Sequence, residues 1–118
     1  MKGQPFLKRA GYALSGWREA FKTEHSFRTQ TLAAGLALIA TWTVGPSPLW
    51  WAIIVLSIAL VLAAEMFNTA LERTLDGLHP GQAEFVRQAK DCAAGAVLVF
   101  SCTAVILFLL MLWDTGYR

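Results

Sequence analysis

LWWAIIVLSIALVLAA, residues 49–64, runs without a break into EMFNTALE, residues 65–72. The first stretch is apolar enough for a membrane interior, and an ordinary anchor would end where it ends. Here Glu65, Asn68 and Glu72 follow instead, at i, i+3 and i+7. On a helix that spacing predicts two carboxylates and an amide on one face. Carboxylates beside hydrocarbon are costly, so they call for a partner, a metal or a chemical task.

The composition around this stretch is that of a membrane protein. Of 118 residues, 56% are hydrophobic and 15% charged. No formally charged side chain occurs from Thr29 to Ala64 or from Cys92 to Trp113. A helix needs about 20 predominantly apolar residues to cross a bilayer, so the second window fits one span and the first fits two short ones. GPSP, residues 45–48, marks the turn between them, because neither proline would keep a helical hydrogen bond there. The expectation is one domain over residues 1–118, all-α, with spans at about 29–44, 49–67 and 92–113. The first is the shortest and is expected to begin earlier, within the polar FRTQ segment.

Basic residues predict the orientation. Lys2, Lys8, Arg9, Arg18, Lys22 and Arg28 precede the first span; Arg73, Arg87 and Lys90 lie between the second and third; the GPSP turn has none. The positive-inside rule then puts the amino terminus and the second connection in the cytoplasm, with the turn and the carboxyl terminus outside. Glu65 and Glu72 are thereby expected on the side that holds ATP and magnesium. The first 28 residues lack an apolar core followed by a small-residue cleavage site, so no cleavable signal peptide is expected. Cys92 and Cys102 both fall in the third span, where a packing role is expected rather than a disulfide or a metal.

Ahead of the spans, Phe6, Ala10, Ala13, Leu14, Trp17 and Phe21 recur at three- and four-residue spacing, while Lys8, Gly11, Ser15, Arg18, Glu19 and Lys22 occupy the opposite arc. This predicts an amphipathic helix over about residues 5–24, lying along the cytoplasmic membrane surface. It reads first as an anchor attracted to anionic lipid, and it also stands where it can wall a site near the headgroups. His25 has no second histidine at metal-ligand spacing and reads as an interface residue.

A three-span bundle brings three polar elements to one depth: Glu24 before the first span, EMFNTALE at the end of the second, and Lys90 with Asp91 before the third. Together they hold the parts for phosphoryl transfer. Two carboxylates can hold a hard divalent cation that bridges phosphate oxygens. A shielded carboxylate can accept a proton from a hydroxyl. Lysine binds phosphate as a compact cation, and asparagine orients a carboxylate or donates to a phosphoryl group. Taken alone, Lys90 and Asp91 read as the polar start of a span. Asp76, beside Gly77 and before Pro80, reads equally as a turn residue or as an extension of the acidic face, with residues 77–87 as a cytoplasmic loop leading into the next helix.

No GxxxxGK[ST] loop, protein-kinase motif set or serine nucleophile elbow occurs, so any ATP site is of unrelated construction. A formal charge of +2, with the basic residues committed to the membrane face, leaves no dedicated nucleic-acid surface expected. An ion transporter would need a polar relay through the bilayer, and the centres of the spans carry no charge. A nonenzymatic membrane assembly protein, associating through small residues such as Ala33, Gly35, Ala94 and Gly95, remains an alternative that predicts tolerance of changes at Glu65.

AGYALSGWREAF (10–21), TEHSFR (23–28), AAEMFNTALE (63–72) and QAKDCAAGAVL (88–98), in a chain of this size, resemble the small integral-membrane prokaryotic diacylglycerol kinases, a family that includes undecaprenol kinases. The resemblance runs from about Pro5 to Trp113. It implies a surface helix plus three transmembrane helices, a homotrimer with sites shared between subunits, and ATP- and Mg2+-dependent phosphorylation of a lipid hydroxyl at the bacterial inner membrane. It implies Glu65 as the catalytic carboxylate and Glu24 and Glu72 as metal ligands. Asn68, Asp76, Lys90 and Asp91 match the family's polar nucleotide-site positions, with Lys90 on the phosphates and Asp91 organising the site. Diacylglycerol is the expected substrate, and undecaprenol the alternative.

Overall fold

The computed structural model describes residues 2–116, and they form four helices: α1 (Phe6–Thr23), α2 (His25–Val44), α3 (Pro48–Leu78) and α4 (Glu84–Gly116). Each boundary has a local cause. Pro5 precedes α1. Glu24 is extended, with φ −110° and ψ 109°, and so closes α1 and opens α2 at one residue. The guanidinium of Arg28 fixes that corner by donating to the carbonyl oxygens of Phe21 at 3.1 Å and Lys22 at 2.9 Å. Those carbonyls belong to the last turn of α1, which has no intrahelical donors left to satisfy it.

Gly45 ends α2 in the left-handed region, φ 67° and ψ 49°, where a side chain is strained. Pro48 then starts α3 at a position where its missing N–H costs nothing. The GPSP turn thus joins two antiparallel helices with three residues between them. At the other end, α3 runs on to Leu78 and α4 starts at Glu84. Asp76 therefore lies inside a helix and not in a turn, and the connection is shorter than the loop expected over residues 77–87.

Among the described residues two helices, α3 and α4, are long and apolar enough to cross a membrane. The uncharged part of α3, residues 48–64, reaches about 25 Å at 1.5 Å per residue, and that of α4, residues 92–113, about 33 Å. Both helices continue well beyond their apolar parts, so the carboxylates of α3 stand on a rigid extension of the same rod. The first expected span, residues 29–44, corresponds to α2, whose first turns carry His25, Arg28, Gln30 and Thr31 and dilute its apolar character.

Packing is dominated by α3 against α4, with α2 laid against α3 and α1 against the junction of α2 and α3. The innermost side chains near the α1–α2 corner are Ala20, Phe27 and Leu62, with Ile58 and Met66 against them. Trp17 meets the ring of Phe27 edge-on at 5.2 Å, which seats α1 on the bundle. At the far end the indole N–H of Trp50 donates to Asp114 at 2.8 Å and ties α3 to α4. The outer faces are apolar: Leu36, Trp42, Leu98 and Val99 are each more than 60% exposed. In water such faces would drive aggregation, and in a bilayer they meet hydrocarbon.

Candidate active site

Glu65 is the buried member of the acidic stretch, at 3% exposure. It sits one turn beyond Val61 and Leu62, both buried, so the wall of the apolar bundle shields it from water. Its carboxylate is not alone there. The hydroxyl of Ser26, on the first turn of α2, donates to Glu65 Oε1 at 2.7 Å. One short hydrogen bond thus satisfies part of a carboxylate whose burial would otherwise be expensive.

Asn68 and Glu72 form a second group. The Asn68 amide donates to Glu72 Oε1 at 2.7 Å, and Asn68 lines a pocket with Ala93 and Ala96 of α4. The single face expected from the i, i+3, i+7 spacing is therefore divided: Glu65 bonds towards α2, and Asn68 turns towards α4. A three-residue step falls about 60° short of a full turn, enough to send neighbouring side chains to different helices. Asn68 Oδ1 is buried with no hydrogen-bond partner among the described residues. A buried acceptor left unpaired is costly and marks a place where a donor or a cation is welcome.

Lys90 closes this group from α4. Its ammonium contacts Asp76 Oδ1 at 2.7 Å, and its pKa lies above the ordinary lysine value chiefly because of that hydrogen bond, which outweighs the opposing desolvation, with the charges of Asp76 and Glu72 adding to it. The helical placement of Asp76 makes this contact possible. Asp91, next to Lys90, pairs instead with Arg87 at 2.8 Å, and Arg87 also binds Glu84. Both contacts hold the guanidinium pKa above its ordinary value, the bond to Glu84 most of all.

Glu24 stands apart at the α1–α2 corner. Arg73 of α3 reaches it at 3.4 Å and Glu19 at 3.5 Å, and also donates to Thr23. These are exposed contacts, weak in water and readily exchanged. Among the described residues no three His, Cys, Asp or Glu side chains come together in a cluster able to hold a metal. Magnesium seldom uses an all-protein cage; it takes one or two carboxylates and leaves the rest of its shell to phosphates and water. Glu72, beside the unpaired Asn68 oxygen, fits that demand, and Glu24 joins it only by leaving Arg73.

Ser26, Arg73 and Arg28 are the contributors that motif reading passes over. Ser26 is 39 residues from Glu65, and only the fold joins them. Arg73 carries a weak signal, since a cation directly after Glu72 on the acidic stretch calls for a carboxylate across the corner.

The profile of the family described as prokaryotic diacylglycerol kinase matches residues 11–112. The diacylglycerol kinase of Escherichia coli strain K12 is 31% identical over 108 residues, 92% of this chain and 88% of its own. The undecaprenol kinase of Bacillus subtilis strain 168 is 37% identical over 106 residues, 90% of this chain and 86% of its own. A diacylglycerol kinase of Synechocystis is 39% identical over 98 residues, 81% of this chain and 55% of its own. With a match of this extent running through every residue of the polar constellation, the chain belongs to the prokaryotic diacylglycerol kinase family and is a lipid kinase.

Proposed function

We propose that this chain transfers the γ-phosphoryl group of ATP directly to the primary hydroxyl of diacylglycerol, at the end of α3 where the apolar rod becomes polar. The observation that carries the reading is Glu65, a carboxylate at 3% exposure, held by Ser26 one turn from the apolar wall. A lipid hydroxyl arriving from the bilayer meets that depth before it meets water. Glu65 orients the hydroxyl and takes its proton as the oxygen attacks phosphorus in line; the bond from phosphorus to the ADP oxygen breaks, and phosphatidic acid and ADP leave.

Lys90 offsets charge on the transferred group, and its raised pKa keeps it cationic throughout the neutral range. Asp76 aims the ammonium, while Asn68 and Asp91 order the nucleotide end of the site. Glu72 and Glu24 would hold magnesium, which neutralises phosphate charge when bound with ATP. The exposed Arg73 pair keeps Glu24 at the corner until then.

In the proposed arrangement α2, α3 and α4 all span the inner membrane, α1 lies on its cytoplasmic surface, and the carboxyl terminus is outside. Three copies assemble, with sites shared between neighbours. Undecaprenol is the second substrate reading, because the Bacillus subtilis relative at 37% identity is an undecaprenol kinase. Both lipids present a primary hydroxyl, and the same residues serve either.

The test is Glu65→Gln in mixed micelles with ATP and magnesium. General-base loss is expected to lower turnover by about 10²–10⁴-fold, with ATP binding retained. Near-normal turnover of a folded variant on both lipids overturns the assignment.

A further inference from the structure

Beyond the carboxylates, the bundle has a half-open apolar groove of about 230 Å³ between α2, α3 and α4. Its walls are small or aliphatic, Ala33, Ala37, Ile58, Leu62 and Ala104 among them. Its polar lining is Gln30, Ser57 and Ser101. Ser57 donates its hydroxyl to the Ile54 carbonyl at 2.9 Å, so that group is used within its own helix. Gln30 and Ser101 differ. The Gln30 amide donates to Ser101 Oγ at 2.9 Å, across the groove from α2 to α4.

That bond leaves capacity behind. A glutamine amide has a second N–H, and a serine hydroxyl still has its own proton after accepting. Two donors thus remain on residues that line an apolar groove whose other polar side chain, Ser57, is used within its own helix, and an acceptor carried by an apolar ligand would satisfy them there. Depth identifies which acceptor. Gln30 lies one turn along α2 from Ser26, which bonds Glu65, and Leu62 lies one turn before Glu65 on α3. One turn is about 5–6 Å. In a 1,2-diacylglycerol the ester carbonyls begin at about this distance from the free hydroxyl, whereas a polyprenol has only hydrocarbon there.

We propose that Gln30 and Ser101 form a reader of ester carbonyls, which sets the substrate class as a glycerol diester rather than a polyprenol. The proposal rests on the reading of Glu65 as the residue that receives the lipid hydroxyl. With the hydroxyl at Glu65, the ester oxygens accept from Gln30 and Ser101, and the acyl chains pass over Ala33 and Ala37 into lipid. A polyprenol in the same place leaves both donors facing carbon, which disfavours it in the way that any unpaired buried polar group does.

The experiment compares three lipids in the same micelles with the full-length protein: a 1,2-diacylglycerol, the matched 1,2-dialkylglycerol ether, which keeps hydroxyl and tails but lacks carbonyls, and a polyprenol. Wild type is expected to favour the diester over the diether by about tenfold in kcat/KM, the effect of one or two hydrogen bonds. Gln30→Leu is expected to abolish that ratio through the lipid KM, and Ser101→Ala to reduce it. Because each ratio is internal to one variant, partial loss of folded protein does not alter it. Equal use of diester and diether by wild type, a preference for the polyprenol, or a ratio unchanged in Gln30→Leu overturns the proposal. Loss of oligomer in Gln30→Leu with the ester preference intact also overturns it and assigns the groove to a helix of another copy. Phosphorylation of none of the three by wild type defeats instead the kinase reading on which it rests.

Discussion

Ser26 and Glu65 define the proposed site at the scale of single residues. The serine is exposed on one side, yet its hydroxyl is committed to a buried carboxylate at 2.7 Å. Ser26→Ala removes a charge-assisted hydrogen bond, and kcat is expected to fall about 10-fold or more with the KM for ATP unchanged. Ser26→Thr, which keeps the hydroxyl, is expected to restore most of the rate. Steady-state kinetics on the pair separates positioning from general destabilisation, which threonine would not rescue. Lys90 supplies a second prediction. Its pKa is raised by Asp76, so the ion pair's contribution is complete below the unfolded lysine pKa and is lost as pH rises through the folded one. Asp76→Asn is expected to move the alkaline loss of ATP affinity to lower pH, as titration of ATP binding would report. The polar residues themselves were legible because Glu65, Asn68 and Glu72 break an uncharged run. Their partners were not: Ser26 to Glu65 and Lys90 to Asp76 are contacts made by packing, and a periodicity of 3.6 does not say which neighbouring helix a side chain meets.

Helices α2, α3 and α4 were legible as elements because apolar runs and punctuation coincide. Pro46 and Pro48 flank the turn, and Gly45 takes the left-handed conformation that ends α2. The extent of α3 was less legible. Gly77 and Pro80 suggest a break near Asp76, yet Thr74 donates back to Ala70 at 2.7 Å and the helix persists to Leu78. One glycine near a helix end is tolerated at about 1 kcal/mol, less than the packing and hydrogen bonding of the preceding turns supply. That persistence carries Asp76 to Lys90 on a rod that begins in the apolar bundle. Gly45→Ala tests the turn. A left-handed residue with a side chain costs about 1–2 kcal/mol, so thermal inactivation is expected at lower temperature with kcat unchanged in the surviving enzyme. A thermal midpoint equal to wild type would refute the role given to Gly45.

As a whole molecule, one chain is thin: its extents are 54 × 38 × 23 Å, and α4 keeps most of its apolar surface exposed. Lipid covers such a surface, and so do further copies in the proposed trimer. Within one chain Glu24 bonds to Arg73 and Glu72 to Asn68, so the two carboxylates proposed for magnesium have different partners. If neighbours share sites through these two carboxylates, mixing Glu24→Gln with Glu72→Gln subunits is expected to restore activity that neither has alone, and mixed oligomers without recovery would place both carboxylates of a site on one chain. Resemblance to a family made the activity legible; the apolar composition alone made only a membrane protein so. The central claim is tested most directly by incubating the purified protein with γ-labelled ATP, magnesium and diacylglycerol micelles and identifying the product. Label in phosphatidic acid, abolished by chelating magnesium and by Glu65→Gln, is the predicted result, and folded wild-type protein that labels no lipid contradicts the account.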